Sequence, residues 1–198
     1  MSGIDKNTVL MLHMNDDTFK DECGHTVVND GVKLDTNNKV FGNGSAYCKS
    51  TTLTIDSSDF AFKNNDFTID FWMYYISGYC GVSSVYIGSG IGVGIQSDYI
   101  WIGSNSTKIV ISPANFIMNK WTHYALVRAA NDRYGTGYNP GQGYIDEFRI
   151  SNIARYTTEF TPPIHEYTKD LYLVKQNDNY YSIQNNTLTL LGTPTDDT

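Results

Sequence analysis

What this chain has little of narrows it first. No segment of its 198 residues keeps an apolar helical period for ten residues, and the one helix-like scrap, 152–156, is a single turn. No run approaches the roughly 20 apolar residues of a membrane-crossing helix, so membrane insertion by that route is not expected. Cysteine is sparse. Cys23, Cys48 and Cys80 cannot all pair within one chain and their spacing fits no disulfide framework, so free, partly buried thiols are expected. The four histidines lie far apart, with no H-x-x-H or C-x-x-C, which speaks against zinc. Positive charge is short as well: 14 basic residues against 21 acidic give a formal charge of −7, and no basic stripe offsets it. Nucleic acid and anionic membrane are poor partners for such a surface, whereas cations and neutral sugars suit it. The opening residues, Met1-Ser2-Gly3-Ile4-Asp5-Lys6, lack the regions of a signal peptide, and synthesis in the cytoplasm is expected.

What is present reads as strands. Segments 9–14, 46–55, 67–75, 85–95, 99–103, 108–112, 122–128 and 144–150 are rich in β-branched and aromatic residues. Asn, Asp, Gly and Ser gather between them, as in Asn29-Asp30-Gly31. Many short antiparallel strands joined by turns predict an all-β sandwich or barrel. Phe67, Ile69, Phe71 and Met73 alternate with Thr68, Asp70, Trp72 and Tyr74, so the first set is expected in the core and the second on the outer face. Val127, Phe148 and Ile150 join the expected core. In Gly143-Tyr144-Ile145-Asp146-Glu147-Phe148-Arg149-Ile150 the apolar phase slips. Ile145 falls on one face of an extended chain while Phe148 and Ile150 fall on the other, as a β-bulge at Asp146-Glu147 would cause.

Five blocks in order carry a family likeness: Val9-Leu10-Met11-Leu12-His13-Met14 with its acidic loop, Lys39-Val40-Phe41-Gly42-Asn43-Gly44-Ser45-Ala46-Tyr47, Phe67-Thr68-Ile69-Asp70-Phe71-Trp72, Trp121-Thr122-His123-Tyr124-Ala125-Leu126-Val127-Arg128, and Gly143-Tyr144-Ile145-Asp146-Glu147-Phe148. Over residues 8–163 the chain resembles laminin-G-like domains of the concanavalin A-like lectin/glucanase superfamily, especially those of bacteriophage tail and bacterial surface proteins. The resemblance implies a concanavalin A-like antiparallel β-sandwich (jelly roll) over 1–164, followed by a small β-hairpin appendage and flexible end over 165–198. The expected hairpin is 171–175 with 180–183, leading through Asn185-Asn186 into 187–191. In relatives a further hairpin separates the W-x-H-x-A-L-V-R strand from the closing strand. Here only 129–143 lies between, and the gap is expected to be filled by the C-terminal hairpin or a second subunit, unless residues are absent from the chain.

Function is expected to be non-catalytic. Glucanases of the superfamily place carboxylates as E-x-D-x-x-E on one strand, and retaining hydrolysis needs a carboxylate pair about 5–5.5 Å apart. Asp66 and Asp70 share a face but have Thr68 between them, while the adjacent Asp146 and Glu147 would point opposite ways on a regular strand. Calcium is the cofactor the resemblance implies, with Asp16, Asp21 and Asp146 as ligands; turn-forming acidic residues are the competing reading. Glycan contact would need aromatics beside amides or carboxylates. Tyr134 and Tyr138, with Asn131 and Asp132, are the first candidates, in a Gly-rich loop. Tyr99 and Trp101 follow, beside the glycines of Gly90-Ile91-Gly92-Val93-Gly94, whose bare face is covered either by an aromatic or by a ligand. Trp72, Trp121 and His123 read as structural. The expected role is a binding or structural module of a phage tail or tail-like particle, contacting host cell-surface polysaccharide and other tail proteins or its own copies. A surface adhesin is the alternative and a polysaccharide hydrolase the third reading.

Overall fold

The computed structural model describes residues 4–62, 65–83, 92–96, 99–104, 107–111, 118–128, 142–168, 172–176, 179–184 and 187–192. From 79 to 111, at Arg128 and from 172 onward it is the backbone that is described. The chain divides into two compact units, Lys6–Glu166 and a second made of Met1–Asp5 with Tyr167–Thr198. The strands pair antiparallel throughout. This is the all-β sandwich class that the strand alternation predicts.

In the larger unit the strands are β1 (Thr8–Leu12), β2 (Val28–Asp30), β3 (Lys33–Asp35), β4 (Ser45–Lys49), β5 (Thr52–Thr54), β6 (Phe67–Ser77), β7 (Tyr79–Ser83), β8 (Gly92–Gln96), β9 (Tyr99–Ser104), β10 (Thr107–Ile111), β11 (Trp121–Arg128) and β12 (Gln142–Ser151). One sheet runs β11-β6-β12-β4-β3, with β1 also paired to β12; a second runs β10-β9-β8-β7; β2 and β5 form a small ribbon. The expected single strand 46–55 is two strands. Ser50, at φ 55, turns the chain out of β4 so that β5 pairs with β2 instead. In the smaller unit β13 (Tyr172–Gln176), β14 (Asn179–Gln184) and β15 (Thr187–Gly192) make a three-stranded sheet, one strand more than the expected hairpin.

The core forms where the sequence alternates. Phe67, Ile69, Phe71 and Met73 are all buried, with Leu10, Leu12, Phe19, Ile145, Phe148 and Ile150 around them. Each such side chain contributes roughly 1.5–3 kcal/mol of burial. The bulge is where the phase slip puts it. Asp146 pairs with Trp72 and Arg149 with Asp70, so β12 spends one residue more than β6 over that interval. Glu147 supplies it at φ 50, in the left-handed region. Without that extra residue Ile145 could not share a face with Phe148 and Ile150.

Two expectations need correction. Val127 is half-buried and pairs with Thr68, away from the core; its neighbour Leu126 pairs with Ile69 and packs on the core instead. The outer face of β6 is also not simply outside. Thr68 and Asp70 are both fully buried.

Candidate functional site

Residues directly opposite each other on paired strands share a face, so register assembles the outer face of the large sheet row by row. Thr68 sits with Val127 and Ser151, Asp70 with Ala125 and Arg149, and Trp72 with His123 and Asp146. The next row crosses five strands: Trp121, Tyr74, Tyr144, Tyr47 and Lys33. Strands lie about 4.8 Å apart, so its four aromatic positions span roughly 14 Å.

The first two rows are closed over. Past β12 the chain doubles back across them. Thr68 Oγ1 donates to Ile153 O at 2.8 Å, and the Arg155 amide donates to Thr68 Oγ1 at 2.9 Å. Beneath this cover Arg149 grips Asp70 with two bonds, Nε to Oδ1 at 3.0 Å and Nη2 to Oδ2 at 2.9 Å. Tyr156 Oη donates to Asp70 Oδ2 and accepts from Arg149 Nη2, both at 3.0 Å. His123 Nε2 lies 3.5 Å from the same carboxylate, and Phe160 stacks on Tyr156 with ring centres 3.9 Å apart. A fork-to-fork pair satisfied this fully is structural, which is the reading the sequence gives His123.

The third row is closed by residues 38–43. Asp146 is fully buried, and its Oδ2 accepts from the Val40 amide at 2.8 Å and the Phe41 amide at 3.1 Å. Phe41 meets the Trp72 ring edge-on at 6.0 Å. Among the described residues Asp146 Oδ1 and Trp72 Nε1 are buried without a hydrogen-bond partner. Burial pushes the Asp146 carboxyl up to about 7; the Glu147 charge adds to that, and the loop amides oppose it. The same loop is held from its other side, where Asn15 Oδ1 accepts from the Asn43 amide at 2.6 Å. Gly42, at φ 52, leaves space for Asn15 and Glu166 that a Cβ would fill.

The fourth row stays half open. Tyr74 meets Trp121 and Tyr144 at 5.8 Å each, and Tyr144 meets Tyr47 at 5.0 Å. Trp121 and Tyr144 lean together across Tyr74, with centres 6.3 Å apart. All four are half-buried, so ring surface is left for a ligand. Amides fix the phenols: Gln142 Nε2 donates to Tyr47 Oη at 2.7 Å and Asn38 Nδ2 to Tyr144 Oη at 3.3 Å. Burial, with the charge of Asp35, holds the Tyr144 phenol above its usual range and thus protonated. An aromatic surface edged by amides and phenol O–H groups can stack on the apolar faces of sugar rings and bond their hydroxyls.

The residues expected at a site are a different set. Asn131, Asp132, Tyr134 and Tyr138 lie outside the described residues. Of Tyr99 and Trp101 the backbone is described: Tyr99 pairs with Gln96 and Trp101 with Gly94, beside the glycine strip. Asp16, Asp21 and Asp146 do three separate jobs. Asp16 caps the turn at Thr18 through its amide and hydroxyl. Asp21 accepts from the amides of Met11, Cys23 and His25 and from the His25 ring. Among the described residues no three His, Cys, Asp or Glu side chains gather as a group that could hold a metal ion. Glu147 is paired too, its Oε1 2.7 Å from His13 Nδ1. Cys48 is a free thiol that burial pushes up to about 11, and the Cys23 thiol donates to Thr8 O at 3.5 Å. The aromatic row escaped the sequence reading, which took Trp121 as structural. Its signal is nonlocal, since only register brings four strands' aromatics into line.

No family model and no curated protein matches the sequence. Among solved structures the chain is similar to the binding domain of Paraclostridial Mosquitocidal Protein 1, at 13% identity and a TM-score of 0.54, over 75% of this chain and 49% of that one. It is also similar, at 15% identity and a TM-score of 0.54, to a structure of botulinum neurotoxin type C, whose cell entry depends on interaction with two ganglioside molecules. That match covers 96% of this chain and 62% of the other. This chain thus spans about half to three-fifths of those neighbours, and at such identities the likeness is one of fold.

Proposed function

We propose that this chain is a non-catalytic carbohydrate-binding module that contacts glycan through Trp121, Tyr144 and Tyr47. The observation that carries the proposal is the half-open aromatic row, with its phenols fixed by Asn38 and Gln142. Toxin neighbours, one a binding domain and one dependent on gangliosides for cell entry, support a glycan role for this kind of fold. The carboxylates that a hydrolase reading would recruit are otherwise engaged. Asp70 is bound by Arg149, Glu147 by His13, and Asp146 by loop amides. The finer reading is a laminin-G-like module of a phage tail or tail-like particle that attaches to host surface polysaccharide. Many weak contacts on one particle would raise its avidity. A surface adhesin on the same fold is the alternative.

The test is a glycan array probed with the parent protein and with Tyr144→Ala and Trp121→Ala. Binding by the parent and loss in both variants, with melting temperatures little changed, is the expected result. A parent that binds glycan equally well after both substitutions places the site elsewhere, with Tyr99, Trp101, Tyr134 and Tyr138 next to be substituted.

A further inference from the structure

Resting on the carbohydrate-binding reading, we infer that the ligand is an acidic glycan, whose anionic group lies at the β3–β4 end of the aromatic row. Tyr47 and Tyr144 each accept a hydrogen bond from an amide, which leaves their O–H groups to donate outward. The row ends on Lys33, exposed and directly opposite Tyr47. One row further, Lys49 is exposed and opposite Gln142, the residue that fixes Tyr47. This end is therefore built of donors: two phenols and two ammonium groups. A neutral sugar offers hydroxyls that give and take alike, whereas a carboxylate or sulfate only accepts. The donor set matches the second.

At this end of the face the acid on β3 is Asp35, and its Oδ1 is occupied by the amides of Asn37 and Asn38, at 2.8 Å each. It shapes the turn that delivers Asn38 to Tyr144. Its charge also helps keep Tyr144 protonated and donating. A local cluster of donors in a chain of formal charge −7 is a focused attraction, since the remaining surface repels an anionic polymer. Stacking on the rings gives affinity for sugar generally, and the lysine end selects the charged one.

Matched pairs of polysaccharides test this: polygalacturonate against its methyl ester, and dextran sulfate against dextran, with binding measured at low and high salt. An exposed charge pair contributes at most about fivefold, so two give a preference for a charged member of at most about 25-fold at low salt, shrinking as salt rises. Preference in the first pair assigns a carboxylate, and in the second a sulfate. The Lys33→Gln/Lys49→Gln double variant should bind both members of a pair alike while keeping its neutral-sugar affinity. Equal binding of charged and neutral members by the parent overturns the acidic ligand and leaves the carbohydrate reading standing, provided Tyr144→Ala weakens both. A preference that survives in the double variant overturns the lysine assignment. Failure of all four polymers to bind overturns this inference, and the glycan array then decides the broader reading.

Discussion

One face of one sheet ends in two different ways. Toward Thr68 and Asp70 it is sealed by the chain returning from β12, and charged groups are buried beneath: Arg149 is 1% exposed and Asp70 is 0%. Toward Tyr74 and Tyr144 the same strands present half-open rings, with no return of the chain over them among the described residues. The difference teaches where stability and recognition are separated in this fold. At the sealed end Thr68, Asp70, Arg149 and Tyr156 are committed to partners within the unit. At the open end the bonds fix the phenols but leave ring faces and O–H groups to spare.

The largest test of that contrast is to break the sealed end. Asp70→Ala leaves the Arg149 guanidinium buried without its carboxylate, and loss of one partner from such a pair costs about 3–5 kcal/mol. Denaturant unfolding should show this loss, while glycan affinity measured well below the melting temperature stays within about twofold. A variant as stable as the parent would mean that solvent reaches the pair and the cover is loose.

Next in size is a pH dependence that belongs to the row between the two ends. The folded Asp146 carboxyl titrates at about 7, above its ordinary value of 3.8. Between those values the native state holds a proton that the unfolded chain releases, so stability falls as pH climbs from about 4 to 7 and then levels. His13 and His25 act in the same direction. Burial lowers both, but the bonds and charges of Glu147 for His13, and of Asp21 and Asp59 for His25, outweigh it and raise them. Their contribution is full below 6.5 and is lost as pH rises through the raised folded values. The urea midpoint should therefore be higher at pH 5 than at pH 8, and Asp146→Asn should flatten the part between 4 and 7. A midpoint that rises with pH over this range would contradict the burial of Asp146.

Smaller in free energy, but opposite in kind, is the effect of opening the other end. Tyr144→Ala should weaken glycan binding about tenfold or more, equal to about 1.4 kcal/mol. Its melting temperature should fall far less than that of Asp70→Ala. If the two variants lose stability alike and neither loses binding, the aromatic row is packing and the contrast between the ends disappears.

Much of this was legible in the sequence, and what was not has a common cause. The core face of β6 follows from alternation, because period 2 is a local property of the chain. The bulge was legible for the same reason: Ile145 and Phe148 cannot both be buried on a regular strand. The fate of the outer face was not. Whether Asp70 is buried depends on residues 153–160 folding back over it, and whether Trp121 belongs to a site depends on the register of four strands. Val127 was misplaced because Leu126 beside it is equally apolar, and only pairing with β6 decides between them. The strands β2 and β3, three residues each, are too short for a pattern to show. The first-choice loop, with Tyr134 and Tyr138, lies outside the described residues.

The smallest effect tests the joint between the two ends. Glu147 is the extra residue that lets the outer face of β12 continue from Tyr144 and Asp146 to Arg149 and Ser151 while Phe148 stays in the core. It adopts φ 50, a conformation that costs a residue with a Cβ about 1 kcal/mol or more and glycine almost nothing. Its carboxylate also holds His13 at 2.7 Å. Glu147→Ala loses the pair and keeps the backbone cost; Glu147→Gly loses the pair and relieves it. Glycine should therefore be the more stable of the two by about 1 kcal/mol, although at most sites in a strand alanine would win. Both variants should lose the share of pH dependence that His13 contributes, since its partner is gone from each. Alanine more stable than glycine would mean that β12 runs through this position as a regular strand. The sealed and open ends would then not share one continuous face.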